Sequence, residues 1–258
     1  MLYTFYKYQG TGNDFIIIDN KDGKVQLSKE QIEHACDRHF GIGADGLMLM
    51  SLVQGYDFGM KYYNADGREG SMCGNGGRCM VRFAYNMGLH KNEYSFIAVD
   101  GVHKAAIDEH GWINLQMNNV NGVERDNGAY VLNTGSPHYV KAVADARNYD
   151  VFDEGREIRY SKHYAANGIN VNFVSGEEHN IYVRTYERGV ENETMSCGTG
   201  VTAAALMFAH NDNGFNRVEV KTPGGHLAVE FDKTGEESFE NIWLCGPATF
   251  VFKGEIEL

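Results

Sequence analysis

The sequence predicts an α+β chain built as two similar halves. Three observations predict it. A cysteine-bearing stretch occurs twice: Tyr63-Asn64-Ala65-Asp66 running on to Met72-Cys73-Gly74-Asn75-Gly76-Gly77, and Glu187-Arg188-Gly189 running on to Ser196-Cys197-Gly198-Thr199-Gly200. Asn64 lies nine residues before Cys73 and Arg188 nine before Cys197, and the two cysteines stand 124 positions apart in a chain of 258. A repeat of half the chain length predicts two similar lobes facing each other across a cleft. The order of strand-like and helix-like segments also recurs. Finally, the apolar runs, such as Phe15–Ile18 and Leu47–Met50, are strand-sized.

In the first half, residues 3–8 and 14–19 read as strands joined by the turn Gly10-Thr11-Gly12-Asn13. Ser28 through His39 reads as a helix, with Ser28 as N-cap and Gln31 completing a capping box. Residues 47–52 and 58–64 read as strands. A helix starts after Cys73, runs to about Met87 and is ended by Gly88. Residues 94–107 and 112–117 alternate like paired strands. In the second half, 130–133 and 139–143 are strands around the turn Gly135-Ser136-Pro137-His138, and 170–175 and 180–185 are strands. A helix follows Cys197 through about His210, and 218–221, 226–231 and 241–244 are strands. The lobes are expected to span 1–120 and 121–247, divided in the Gly- and Asn-rich segment 118–128, with the last strand, within 248–258, able to return to the first lobe.

Composition narrows the function. A formal charge of −12 argues against general electrostatic binding of nucleic acid or anionic membrane. No apolar run approaches a membrane span, and the N-terminal Met-Leu-Tyr-Thr-Phe-Tyr-Lys lacks a signal-peptide pattern. Five cysteines, an odd count without an export signal, point to reduced thiols in a cytoplasm.

Both repeated cysteines directly precede a glycine-rich turn that opens a helix. Free N–H groups at a helix start bind a carboxylate, and the same dipole favours a thiolate. A carboxylate cradled there brings an adjacent α-proton to the sulfur. The alternative for one such loop alone is a small buried cysteine; two at matching places favour chemistry. No metal site is expected, because Cys73 and Cys79 are six apart rather than in a Cys-x-x-Cys pair. Cys36, Cys79 and Cys245 lack a glycine cradle and read as core thiols. Gly41-Ile42-Gly43-Ala44-Asp45-Gly46 fits G-x-G-x-x-G, but a helix precedes it and a strand follows, the reverse of a dinucleotide site.

The chain resembles the diaminopimelate epimerase family over essentially its whole length. The resemblance rests on GTGNDFIIID at 10–19, GIGADG at 41–46, YNADGREGSMCGNGGRC at 63–79, GSPHYV at 135–140, NVNFV at 170–174, YERGVENETMSCGTG at 186–200, TPGGHL at 222–227 and GPATFVFKGE at 246–255. It implies two pseudo-symmetric lobes, each a curved, barrel-like mixed sheet wrapped around a central helix, with the active site in the cleft. It implies that Cys73 and Cys197 are an acid–base pair that epimerises LL-2,6-diaminopimelate to the meso form without a cofactor. Gly74, Asn75, Gly198 and Thr199 would hold the carboxylate at the reacting centre. Asn13, Asn64, Asn170, Glu187 and Arg188 match the family's substrate contacts, and His138 and Glu187 would set the thiol–thiolate balance. Asn64 and Asn170 can each bind an ammonium and a carboxylate at once, and Arg188 suits a carboxylate. A homodimer is implied as well. Three departures stand out: Ser136 where many members have asparagine, Gly46 where some have glutamine, and one extra residue between Arg188 and Cys197. The competing readings are a proline or hydroxyproline racemase of the same fold, a related isomerase without the cysteine pair, and a catalytically silent amino-acid binder.

Overall fold

The computed structural model describes residues 1–70, 72–177 and 179–258. The chain divides into two compact units, Met1–Leu115 with Gly246–Leu258, and Gln116–Cys245.

The first unit carries strands β1 (Leu2–Gly10), β2 (Asn13–Asp19), β3 (Gly46–Ser51), β4 (Phe58–Asn64), β5 (Glu93–Ala98), β6 (Gly101–Ile107) and β7 (Ile113–Gln116), with helices α1 (Lys29–Cys36) and α2 (Gly74–Asn86). The second carries β8 (Val120–Asn121), β9 (Glu124–Asp126), β10 (Ala129–Asn133), β11 (Pro137–Ala142), α3 (Val151–Arg159), β12 (Asn170–Gly176), β13 (Ile181–Glu187), β14 (Asn192–Thr194), α4 (Gly198–Met207), β15 (Gly214–Thr222), β16 (Gly225–Gly235) and β17 (Ser238–Gly246). The last strand, β18 (Thr249–Glu257), pairs with β1.

The sheet of the first unit runs β18-β1-β2-β3-β4-β5-β6-β7, with neighbours antiparallel, antiparallel, parallel, antiparallel, parallel, antiparallel and antiparallel. The sheet of the second runs β9-β10-β11-β12-β13-β15-β16-β17 with the same sequence of senses. Even the short parallel joint recurs: Phe58 and Gly59 pair with Phe96 and Ile97, and Ile181 and Tyr182 pair with Val220 and Lys221. The sequence repeat is therefore a topological one.

Each sheet has two covered faces, which is why its central strands read as unbroken apolar runs. In β2, Ile16 and Ile18 join Leu47 and Leu49 of β3 under α1. In the second unit Tyr139, Val171 and Phe173 lie under α3. The opposite face of that sheet surrounds α4, which touches β10, β11, β12, β13, β15 and β16. Gly198 and Gly200 to Leu206 are all buried, so this helix is apolar on every side. The small side chains of Ala203, Ala204 and Ala205 let the strands close around it. In α2, eight consecutive residues from Gly74 to Val81 are buried likewise.

The helix starts follow local chemistry. Ser28 Oγ accepts from the Gln31 N–H and Gln31 Oε1 accepts from the Ser28 N–H, the expected box. Helix α1 stops at Cys36 rather than His39, because Asp37 is extended and its carboxylate accepts from the His39 and Phe40 N–H groups. Helix α2 ends as expected: Gly88 has φ +96°, its N–H donates to Tyr85 O and the Leu89 N–H to Ala84 O, a Schellman pair. Helix α4 stops at Met207, three residues before His210.

Candidate active site

The two helix starts are alike. Cys73 is the N-cap of α2 (φ −91°, ψ 130°) and Cys197 the N-cap of α4 (φ −110°, ψ 111°), and neither sulfur caps its own helix. The first intrahelical bonds run from Gly77 N to Cys73 O (2.7 Å) and from Val201 N to Cys197 O (2.8 Å). The N–H groups before these have no carbonyl within the helix to bind. Gly74 and Gly198, the first helical residues, are buried. Each unit thus offers a sulfur beside the backbone donors of a helix start, a place where negative charge is favoured.

Strand register aligns the surroundings of the two sulfurs. Phe15 faces Gly46 across the parallel β2–β3 pair, and His138 faces Asn170 across β11–β12. Asn13 therefore corresponds to Ser136, and each touches the second helical residue of its unit. Asn75 Nδ2 donates to Asn13 Oδ1 (3.3 Å), and Ser136 Oγ lies 3.2 Å from Thr199 Oγ1. Gly46 pairs with Asn64, whereas Val171 pairs with Tyr186 and so brings Asn170 opposite Glu187. The structural counterpart of Asn64 is thus Glu187, not Arg188. The extra residue before Cys197 lies in the loop and shifts the apparent nine-residue match by one.

In the first unit, Asn13 donates through Nδ2 to Asp45 Oδ2 (2.6 Å), and its Oδ1 accepts from the Cys73 thiol at 3.5 Å. Asp45 is fixed by Arg38, which also binds Asp14. Burial pulls the Asp14 carboxyl up, but hydrogen bonds from Arg38 and Lys7 outweigh it and hold the group at about 2. Asn64 is exposed at the end of β4. No side chain fits at Gly46, where an added Cβ would stand 2.5 Å from the Tyr62 ring and 2.6 Å from Tyr63 O.

In the second unit, His138 is fully buried. Burial, and after it the positive charge of Arg188, push its pKa down to about 3. Its Nε2 lies 2.9 Å from Thr199 Oγ1 and 3.0 Å from Ser136 Oγ, and its Nδ1 is 3.0 Å from Asn172 Nδ2. Cys197 Sγ is 3.5 Å from Thr199 Oγ1. Ser136 thus sits within the hydrogen-bonded cluster despite its shorter side chain. Glu187 Oε2 accepts from Thr194 Oγ1 (2.9 Å), and Arg188 is exposed, with Nη1 donating to Asn167 O (3.1 Å).

Asn170 needs a correction. Its Nδ2 gives both hydrogens away, to Ser136 Oγ (3.0 Å) and Pro137 O (3.1 Å), while Oδ1 accepts from the Arg188 N–H (2.8 Å). One lone pair remains, so Asn170 can receive an ammonium but has no donor left for a carboxylate. Asn172, Thr185 and Asp45 were not singled out as site residues in the sequence. Asn172 had a weak signal, a polar residue between Val171 and Phe173, and the structure buries it completely. The other cysteines behave as core: all three are buried, and burial raises the Cys36 and Cys79 thiols to about 12. Among the described residues, no group of three or more His, Cys, Asp or Glu is placed to hold a metal ion, and no helix is long and apolar enough to cross a membrane.

The fold belongs to a class of solved structures that includes isomerases. A phenazine biosynthesis protein of the PhzF family from Bacillus anthracis matches with TM-score 0.81 over 100% of both chains at 14% identity. A hydroxyproline epimerase from Agrobacterium vitis matches with TM-score 0.68 at 12% identity, over 99% of this chain and 92% of that one. Sequence is more specific. The family model for diaminopimelate epimerase matches residues 5–123 and 130–251. The diaminopimelate epimerase of Flavobacterium psychrophilum is 49% identical, over 97% of this chain and 99% of that one, and that of Chlorobaculum tepidum is 40% identical over 96% and 99%. The chain belongs to the diaminopimelate epimerase family.

Proposed function

We propose that this chain interconverts LL- and meso-2,6-diaminopimelate with Cys73 and Cys197 as its acid–base pair. One observation carries the reading: two units of the same topology each set a cysteine as the uncapped N-cap of an enclosed, glycine-rich helix. One sulfur, as thiolate, takes the α-proton: a C–H bond breaks and an S–H bond forms. The other, as thiol, gives its proton to the opposite face of the α-carbon, and the roles exchange in the reverse direction. No electrons are gained or lost. The charge that builds on the carboxylate during proton removal is met by backbone donors at Gly74, Asn75, Gly198 and Thr199, preorganised by their helices. Asn64, Glu187 and Arg188 would bind the distal amino-acid end, with Asn170 as acceptor. That requirement argues against a proline substrate, which would leave those groups unmatched. No electron-sink cofactor is needed in this scheme, and a reducing cytoplasm suits it.

The test is incubation with LL-diaminopimelate in D2O and no added cofactor. Meso product with deuterium at the α-carbon is expected, and none on proline. Cys73→Ala and Cys197→Ala should each lower kcat by at least about a thousandfold, the loss of an essential acid or base. Full activity in either single variant rules the scheme out.

A homodimer is part of the same reading. Its support is the outer strand β18, where Phe250, Val251 and Phe252 are each 43–51% exposed. Sedimentation should give twice the chain mass and Val251→Lys should lower it; a monomer at all concentrations would remove this part.

A further inference from the structure

The two sulfurs sit against hydrogen-bonding partners of opposite polarity, and fixed groups determine that polarity. In the first unit, Asn13 Nδ2 faces the Asp45 carboxylate, which can only accept. The amide is thereby oriented, and its carbonyl Oδ1 is what Cys73 Sγ meets at 3.5 Å. A carbonyl oxygen accepts a hydrogen bond from a thiol and repels a thiolate.

In the second unit the chain of bonds runs the other way. Asn172 Nδ2 donates to the Tyr139 carbonyl (3.1 Å), and Asn172 Oδ1 accepts from Thr185 Oγ1 (2.9 Å), so this amide too has one orientation. Its second N–H is therefore aimed at His138 Nδ1, which must be the acceptor nitrogen. The imidazole is neutral (burial lowers its pKa to about 3), so its proton is on Nε2. Nε2–H is shared between Thr199 Oγ1 and Ser136 Oγ. Ser136 Oγ also accepts from Asn170 Nδ2, and His138 Nε2 cannot receive the serine's own proton. That proton goes to Thr199 Oγ1 at 3.2 Å. Thr199 Oγ1 is then an acceptor twice over, and its own hydrogen is left for Cys197 Sγ at 3.5 Å.

We infer that Asn172 and Thr185 are positioning residues whose relay through His138 and Thr199 delivers a hydrogen-bond donor to Cys197, so that Cys197 is the thiolate in the unliganded enzyme, while Asn13, held by Asp45, keeps Cys73 as the thiol. The inference rests on the two-cysteine reading and names which sulfur is the base at rest. Charged groups of both signs lie on each side. On the Cys73 side stand Asp14 and Asp45, matched by Lys7 and Arg38, with Arg78 further along α2. On the Cys197 side stand Arg188, whose charge is felt at His138, and Glu187, bonded to Thr194. Hydrogen-bond direction differs between the sulfurs, an acceptor at Cys73 and a donor at Cys197. The steric fit preserves it: an added Cβ at Gly200 would lie 2.3 Å from Asn172 Oδ1, whereas at the matching Gly76 it would meet the ends of Met48 and Met60 at 3.2 and 3.5 Å.

The test reads ionisation without turnover, so its failure is distinct from failure of the epimerase reading. Iodoacetamide alkylation of each cysteine is followed by peptide mass spectrometry across pH in unliganded protein, each rate scaled to its own plateau so that access cancels. The Cys197 midpoint should lie below that of Cys73 by at least about one pH unit, the size of shift a single such contact to a thiolate gives. Thr199→Val and Asn172→Leu should each raise the Cys197 midpoint and leave that of Cys73 in place, while Thr199→Ser, which keeps the hydroxyl, restores it. Equal or reversed midpoints overturn the inference, and so does an unchanged Cys197 midpoint in Thr199→Val, a swap of nearly equal shape at a half-buried position that remains informative if Asn172→Leu does not fold.

Discussion

His138 carries a cost that its counterpart in the first unit does not. By register that counterpart is Phe15, and Met48 and Tyr62 stand where the second unit has Asn172 and Thr185. One unit has a hydrophobic layer beneath its helix and the other a hydrogen-bonded one, so the two are alike in backbone and different in chemistry. The buried imidazole binds no proton in the folded chain until about pH 3, while in the unfolded chain it does so near 6.5. Between those values the unfolded state holds more protons, so stability is full above about 6.5 and is lost as pH falls towards 3. The loss is on the order of a few kcal/mol. Asp14, held at about 2 against an ordinary 3.8, adds stability that is lost as pH falls from about 3.8 towards 2. Urea unfolding at stepped pH should therefore show stability falling before the carboxylates titrate, between about 6.5 and 4. His138→Gln should be less stable at neutral pH and flatter in that window; an equal slope in the variant would assign the loss elsewhere. At this scale the sequence displayed the two cysteines plainly, because cysteine followed by spaced glycines is rare and occurred twice. It hid the Asn172–Thr185 pair, since which face of a doubly covered strand a polar residue takes depends on register, and register is a tertiary property.

Most strands and three of the four helices were legible as elements, because apolar runs and caps are local signals. Helix α3 was not. Its cap is ordinary, with Asp150 accepting from the Asp153 N–H, acidic residues in the first turn and Arg156 and Arg159 in the last. What weakens the pattern is Gly155 in its middle, which costs a helix about 1 kcal/mol relative to alanine. The glycine is there because the helix lies directly on Tyr186: an added Cβ would be 2.5 Å from Tyr186 Cβ and 2.8 Å from its ring. Two effects thus oppose each other in Gly155→Ala. Helix propensity favours the alanine by about 1 kcal/mol, while overpacking against a buried ring costs about 1–3 kcal/mol. Tyr186 is 1% exposed and held in the sheet, so it cannot swing away, and the contact should win. Chemical denaturation should show a net loss of stability; a gain would mean that α3 lifts off its strand at little cost. The short strand β14 was missed for a different reason: three residues carry no periodicity to read.

At the scale of the whole molecule, the chain starts and ends in the same unit. Strand β18 lies antiparallel along β1 from Leu2–Glu257 to Gln9–Thr249, and the two termini bond each other, Met1 N to Leu258 O at 2.7 Å and Leu258 N to Met1 O at 3.0 Å. The sequence could leave that strand only unassigned between the units, because strand pairing across the full chain length has no local signature. Its weight in the fold can be argued from what it covers. Phe252 meets Phe5 edge-on at 5.7 Å, Phe250 meets Tyr8 at 5.4 Å, and Gly254 lies so close over the Phe5 ring that a Cβ would be 2.7 Å from it. Phe5 and Tyr8 are 4% and 1% exposed, and Phe5 belongs to the core under α1. Ending the chain at Gly246 would remove a full ladder of backbone bonds from β1, uncover both rings and leave an unpaired apolar edge. Each ring exposed costs about 1.5–3 kcal/mol, a large share of the 5–15 kcal/mol typical of a domain. Hydrogen exchange on the truncated chain should show β1 and β2 losing protection while amides within 129–245, in the other unit, retain it. Protection of β1 equal to that of the full chain would mean that the closing strand is an accessory to this unit rather than part of what holds it together.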